Sequence, residues 1–430
     1  MREFNMYKEI RYTSLPFIII LFITLMFGRG SSLVANMDPR FNPVGVIMYI
    51  CCAIYLLHSS ANKANAIHKS KFGVTFFVLV VVWTLLHMFV LDNGFSVVHY
   101  SLFGMHFFVG ILLLRKYGKS LIVYYEKSMV FLSIVSLICW LIQVVGGTGL
   151  LLSSPILLEN VAGNSDFSLI LYTIANPPVS AEFSTGIFRN SGCAWEPGLF
   201  SVMLNFAIIF NIIRNKTIQL NRQFMILIIT LLSTFSTTGY VTFIVTILGY
   251  YLLVSKISPI RRIFILLTLS IATFYIFSLP FMREKIVNKA EKENFSINNT
   301  HNLEWSERNE VTFTVDRFEG ILLDLYNIFD CPIVGYGLNR ECSFVYKNLS
   351  PAIITTNNLT KPLAQLGVPL GLMLLFLTFH SMRRLSIEFG MREFHYLLFS
   401  VFVIGGVSYL YDSTPFMRAI EIYVLYKNKY

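Results

Sequence analysis

The sequence predicts an all-α polytopic integral membrane protein with about 12 transmembrane helices, on three observations. The 430 residues are 55% hydrophobic and only 13% charged, and mean hydropathy is +0.63. Apolar runs recur along the chain, many near the ~20 residues that a helix needs to cross hydrocarbon. Those runs lack the alternation of a barrel strand. A helix that pairs its own backbone groups is then the spanning structure lipid permits.

In chain order the runs fall at 13–35, 43–58, 72–91, 97–114, 128–147, 195–213, 223–238, 240–255, 263–280, 361–380, 394–411 and 414–426. The first is long and followed by Phe27-Gly28-Arg29-Gly30 without a small-residue cleavage site, so it is expected to stay in the mature chain. The last is short and carries Arg418 and Glu421, the mark of a half-span.

Charge predicts the orientation. With the N-terminus cytoplasmic, 21 of the 34 Lys and Arg fall in cytoplasmic segments, against only 5 of the 24 Asp and Glu. That bias is the positive-inside pattern and places both termini in the cytoplasm. It also accounts for the net charge of +10 and the pI of 9.2 without nucleic acid. Clusters such as Arg115/Lys116/Lys119, Lys256/Arg261/Arg262 and Arg383/Arg384 belong to it. Six cysteines are too few for a disulfide framework. Cys51, Cys52 and Cys139 lie in spans, whereas Cys331 and Cys342 share an outer loop where pairing stays open.

Residues 1–430 form a single membrane domain without internal repeats, and two long outer segments stand out, at 148–194 and 281–360. The first is fairly apolar and broken by Pro155, Pro177 and Pro178, which predicts a segment lying along the membrane surface. The second opens on a polar stretch, Arg283 to Glu310, and then turns regular. Asp316 and Glu319 have capping-box spacing, and Phe318, Ile321, Leu322, Leu325 and Phe329 repeat at helical spacing. An amphipathic helix is expected near 316–330, with Arg317 in its first turn, where the dipole and free N–H groups favour anions. Pro332 ends it and Gly335-Tyr336-Gly337 makes a turn behind it.

Chemistry is expected where charge sits at a membrane boundary. Arg189 and Glu196 flank the mouth of the run Leu199 to Ile213, with Pro197 at the first helical position. Two roles are open for them. They form a pair that closes the helix end, or Arg189 grips phosphate oxygens while Glu196 acts as base or orients the arginine. Two arginines, Arg189 and Arg317, facing one aqueous compartment suggest a phosphate-bearing substrate. The hydroxyl-rich turn Ser233 to Tyr240 is expected to bond to backbone, with a sugar channel as the minor alternative. His99 and His106 share a helix face and are expected to pack. No His-x-x-x-His, Cys-x-x-Cys, paired aspartates or Gly-rich nucleotide loop occurs, so no metal and no cofactor are expected.

Arg189, Gly192, Glu196 and Pro197 before a span resemble the motif of the Wzy-type O-antigen and capsular polysaccharide polymerases, within the O-antigen ligase/polymerase superfamily. Asp316-Arg317-Phe318 followed by Cys331 to Gly337 resembles that family's arginine-led helix and Pro-hydrophobic-Gly-x-Gly turn. Asn357-Asn358 followed by Gln365 to Gly371 resembles the segment leading into its next span. The resemblance implies a GT-C-like architecture in a bacterial cytoplasmic membrane. It implies a metal-independent glycosyltransferase that joins undecaprenyl-pyrophosphate-linked repeat units on the outer face. Arg189, Glu196 and Arg317 would be catalytic, and Arg189, Arg317, Tyr336, Arg340 and Asn357 would contact substrate. The implied partners are the lipid-linked oligosaccharide and the bilayer, with a chain-length regulator left open.

Thr356-Asn357 stands where ligases carry His-Asn, and Gln365 replaces a common glutamate. Both departures count against the alternative of an O-antigen ligase and leave the general base open. A flippase or transporter, the other alternative, predicts charges inside several spans and internal repeat symmetry. Here the charges gather at span ends and in loops.

Overall fold

A computed structural model describes residues 43–60, 71–90, 96–159, 167–175, 188–255, 258–261, 263–264, 267–268, 271, 317–349, 357–407 and 414–425. The run at 13–35, nearly all of that at 263–280, Asp316 and the polar stretch 283–310 lie outside these described residues.

Helices dominate. In order they are α1 (Pro43–Ser60), α2 (Lys71–Val90), α3 (Val97–Tyr117), α4 (Ser120–Val144) and a short α5 (Thr148–Leu152). Strands β1 (Leu158–Glu159), β2 (Phe167–Leu169) and β3 (Tyr172–Ile174) follow. Then come α6 (Pro197–Asn215), α7 (Arg222–Ser233) and α8 (Thr237–Gly249), which runs into a π turn, Tyr250–Val254. The second long loop holds α9 (Arg317–Asp330) and α10 (Phe344–Asn348). The chain closes with α11 (Lys361–Leu366), α12 (Val368–Glu388), α13 (Phe394–Gly406) and α14 (Pro415–Glu421).

Among the described residues four helices are long and apolar enough to cross a membrane: Ser120–Val144, Pro197–Asn215, Thr237–Val254 and Val368–Glu388. Start signals sit where they should. Ser96, Asn221, Ser236 and Thr414 cap helices through their side chains, and Pro197 and Pro415 occupy first-turn positions that need no N–H donor. The run expected at 361–380 is broken into α11 and α12 by Gly367, at φ 77° and ψ 159°. Only glycine adopts that conformation readily.

The first long loop departs from an all-helical plan. β1, β2 and β3 form a three-stranded antiparallel sheet in sequence order. Leu151, Tyr172 and Ile174 pack with Cys139, Trp140 and Ile142 of α4. Gln143 on α4 accepts the Tyr172 hydroxyl. Three strands on an apolar platform can hold together where a lone hairpin would not.

α6 is the central helix, its side chains Gly198 to Ile213 all buried, and it packs against α4, α7, α8 and α13. Gly249, at the end of α8, leaves room for Leu397 near the start of α13, and the two helices pack extensively from there, so they run antiparallel. The end of α13 in turn meets the start of α11, where the Asn358 amide donates to the Gly406 carbonyl at 2.6 Å. The start of α8, the start of α11 and the end of α13 therefore share one end of the bundle.

Basic residues mark the opposite end. Arg115 and Lys116 close α3, Arg214 closes α6, and Lys216 lies beside Gly390 after α12. Here Glu126 is only 1% exposed and accepts two hydrogen bonds from Arg214, at 2.7 and 2.8 Å, and one from Asn211 at 2.6 Å. A carboxylate this deep is tolerable because its lone pairs are filled. The expected half-span is a helix of about two turns, entirely buried between α3 and α12. Its Arg418 pairs with Glu421 and lies over the rings of Phe107 and Phe103.

Candidate functional site

Residues 188–196 form a fixed segment, not a free loop, anchored by backbone groups and by the Asn190 side chain. The Phe188 carbonyl accepts from the Trp140 indole at 2.8 Å, and the Gly192 carbonyl accepts the Thr173 amide of β3 at 2.7 Å. The small sheet thus ties the segment to the end of α4. Asn190 is fully buried. Its side-chain amide donates to Ser233 at 2.9 Å and to Ser136 at 3.3 Å, and its side-chain oxygen accepts the Gly192 amide. Its backbone N–H donates to the Ser233 carbonyl at 3.0 Å. Gly192 has φ 54°, and an added Cβ would fall 2.3 Å from the Phe200 ring. The motif spacing Arg-x-x-Gly is therefore a backbone requirement.

These bonds hold Arg189 against the turn between α7 and α8. Its Nε donates to the Thr234 carbonyl at 3.3 Å, and its charge acts on the nearby Tyr240 phenol. The hydroxyls of that turn bond mostly to backbone, as expected. Thr234 donates to the Leu231 carbonyl, Ser233 to that of Thr230, and Tyr240 to that of Leu232 at 2.6 Å. Phe235, in the same turn, has φ 45°, a conformation costly for a bulky side chain. Strain of this kind persists where surrounding contacts over-determine the backbone. Glu196 caps α6 with an extended backbone, but its carboxylate makes no capping hydrogen bond; its carbonyl accepts the Phe200 amide. The helix-closing role thus belongs to the main chain of Glu196.

Asn190→Ala removes three side-chain hydrogen bonds and strands buried partners. It is expected to cost about 1–3 kcal/mol of stability. Thermal unfolding of the purified variant in detergent, set against the wild type, checks that loss.

The second region is built on α9, which starts at Arg317. The expected apolar face, with Leu322, Leu325 and Phe329, is exposed; the buried face is Leu323, Asp324, Asn327 and Ile328. The physical reason is a polar network absent from the apolar periodicity. Buried Asp324 accepts from the Asn357 side chain at 2.7 Å and from the Thr360 hydroxyl at 2.8 Å. Asn357 in turn accepts the Leu359 and Thr360 amides. Asn327 accepts the Val345 amide at 3.1 Å.

Behind α9 the Gly-x-Gly turn and the start of α12 interlock. The Tyr336 amide donates to the Ala364 carbonyl at 3.0 Å, that of Gly337 to Gln365 at 3.1 Å, and that of Val368 to Pro332 at 2.8 Å. A Cβ on Gly335 would lie 2.3 Å from the Gln365 carbonyl oxygen, and one on Gly367 only 2.0 Å from that of Ile333. The Trp83 indole of α2 donates to the Val334 carbonyl at 2.7 Å, and Tyr100 of α3 accepts the Leu338 amide while meeting His87 at 2.8 Å.

Of the residues expected to touch substrate, Asn357 and Tyr336 are buried. Asn357 is absorbed by the Asp324 network, and Tyr336 packs with Ile328 and Ala364. Arg340 is exposed, with its guanidinium 5.6 Å from the Tyr346 ring. Cys331 and Cys342 are both free thiols. Burial raises the pKa of each; Asp330 reinforces the rise at Cys331, and Lys347 opposes it at both.

The Arg189 segment and α9 are brought to the same end of the bundle. The first sits on the start of α8, and the second docks on residues 357–366, joined to the end of α13. Residues not singled out from sequence include Asn190, Asp324, His87 and Lys361, a buried lysine at the first position of α11. Motif spacing carried no signal for Asn190 and Asp324, because their partners lie tens of residues away. No protein-family model and no curated protein matches the chain.

Proposed function

We propose that the protein is a membrane glycosyltransferase that polymerises lipid-pyrophosphate-linked oligosaccharide repeat units on the outer face of a bacterial cytoplasmic membrane. The about 12 spans, the GT-C-like architecture and the cytoplasmic termini belong to this proposal. The observation that carries it is the shared placement of the Arg189 segment and the Arg317-led helix at the end of the bundle away from the basic clusters. Breaking a glycosyl–pyrophosphate bond puts negative charge on the leaving group. Guanidinium groups held beforehand stabilise such charge without reorganising. The Nε bond to Thr234 orients the Arg189 plane, which suits a two-pronged grip on phosphate. Glu196, its carboxylate not used as a cap, is the candidate base for the attacking sugar hydroxyl. Base catalysis of this kind contributes about 10²–10⁴-fold.

The test is incubation of purified protein with one defined lipid-linked repeat unit, without metal or nucleotide. A ladder of products is expected. A single transfer onto a lipid A core acceptor would make the protein a ligase, and no transfer to any acceptor would remove the enzyme altogether.

A further inference from the structure

On α9 the side chains Leu322, Leu325, Tyr326 and Phe329 form an exposed stripe, continued by Ile333 just past the helix; Phe329 is 78% exposed and Ile333 74%. The opposite face of α9 is docked by Asp324 and Asn327, so the helix cannot roll to bury the stripe. What covers it follows from its neighbour. α2 is apolar from Val74 to Phe89, yet buries only a narrow line, Phe76, Trp83 and His87. Leu79, Val82, Leu86 and Phe89 point outward. A helix that is apolar all round and mostly uncovered by protein is covered by lipid.

The stripe joins that lipid-covered face at a definable depth. Val334, adjacent to Ile333, accepts the Trp83 indole. Trp83 lies seven residues before Val90, the end of α2, which is about 10 Å along the helix axis. The chain leaving α9 therefore crosses α2 well inside the span's end. That distance matches the ~5–10 Å to which an interfacial helix sinks its apolar face.

We infer that α9 is an interfacial helix whose stripe Leu322, Leu325, Tyr326, Phe329 and Ile333 lies in the acyl boundary of one membrane leaflet. Lipid is its occupant, and the membrane adds to the Asp324 and Asn327 contacts that hold the helix beginning at Arg317. The inference goes beyond the proposed reaction and needs no substrate for its test, so either can fail alone.

The test uses the full chain in nanodiscs of phosphatidylethanolamine and phosphatidylglycerol, with Phe329 or Ile333 replaced by the photoreactive p-benzoylphenylalanine. The exposed, charged Glu341 serves as the water-facing control position. On irradiation, phospholipid adducts are expected at 329 and 333 in about tenfold excess over 341, read by intact mass. Equal adducts at all three positions would overturn the inference. So would a cross-linked dimer, which would make the stripe a contact between two copies, or intramolecular adducts only. Aromatic-for-aromatic replacement at 329 leaves the docked face untouched, and unchanged thermal unfolding confirms that the fold is intact.

Discussion

Arg189→Ala is expected to abolish chain extension and to leave single lipid-linked repeat units accumulating in the membrane, while the protein remains folded. The structural part of that expectation is modest. The Arg189 Nε donates to the Thr234 carbonyl, and a hydrogen bond from a charged group contributes about 1.5–3 kcal/mol. The chemical part is larger, since removing one preplaced donor from developing negative charge costs about 10²–10³ in rate. Arg189→Lys keeps charge but loses both the Nε donor and the planar fork, so partial activity with shorter products is expected. Arg317→Ala should behave like Arg189→Ala. A stably expressed double variant that still makes near-normal polymer, judged by the ladder of chain lengths on gels, would remove the proposed site.

Gly367→Ala is the second large effect, and it acts through structure. The residue's φ of 77° and ψ of 159° belong to a region essentially reserved for glycine, where another residue costs about 1–3 kcal/mol. An added Cβ would also lie 2.0 Å from the Ile333 carbonyl oxygen. Relieving that clash moves one of two backbones and costs about 1–3 kcal/mol more. The sum is a large fraction of a typical domain's stability of about 5–15 kcal/mol. A marked drop in unfolding temperature in detergent, with loss of polymer, is the expected result. Wild-type stability in this variant would mean that the turn and the start of α12 do not interlock.

Much of the helical order was legible because lipid imposes length and apolarity together. The apolar runs between 43–58 and 394–411 that fall in described residues each coincide with helix, and Pro197 marks the start of α6 as expected. The small sheet was hidden, since strands of two or three residues give no periodicity to read. α9 was legible from its apolar periodicity, but the face that docks was not. Periodicity reports which side is apolar; it is silent on whether protein or something else lies against it, and nothing in it marks Asp324 and Asn327 as buried. At the candidate site, Arg189 and Glu196 were visible as charges at a boundary. The amide of Asn190 and the carbonyl of Thr234 were not, because a backbone acceptor has no letter in the sequence.

The interlock of residues 332–337 with 364–368 is made almost wholly by main-chain groups. Those hydrogen bonds do not depend on which side chains flank them, so long as the two glycines stay. Relatives of this chain should then share its shape there while spelling it differently, and comparison of residue types alone will undercount them. A pair of glycines at the spacing of Gly335 and Gly367, flanked by apolar runs, is the fingerprint by which distant kin should be sought.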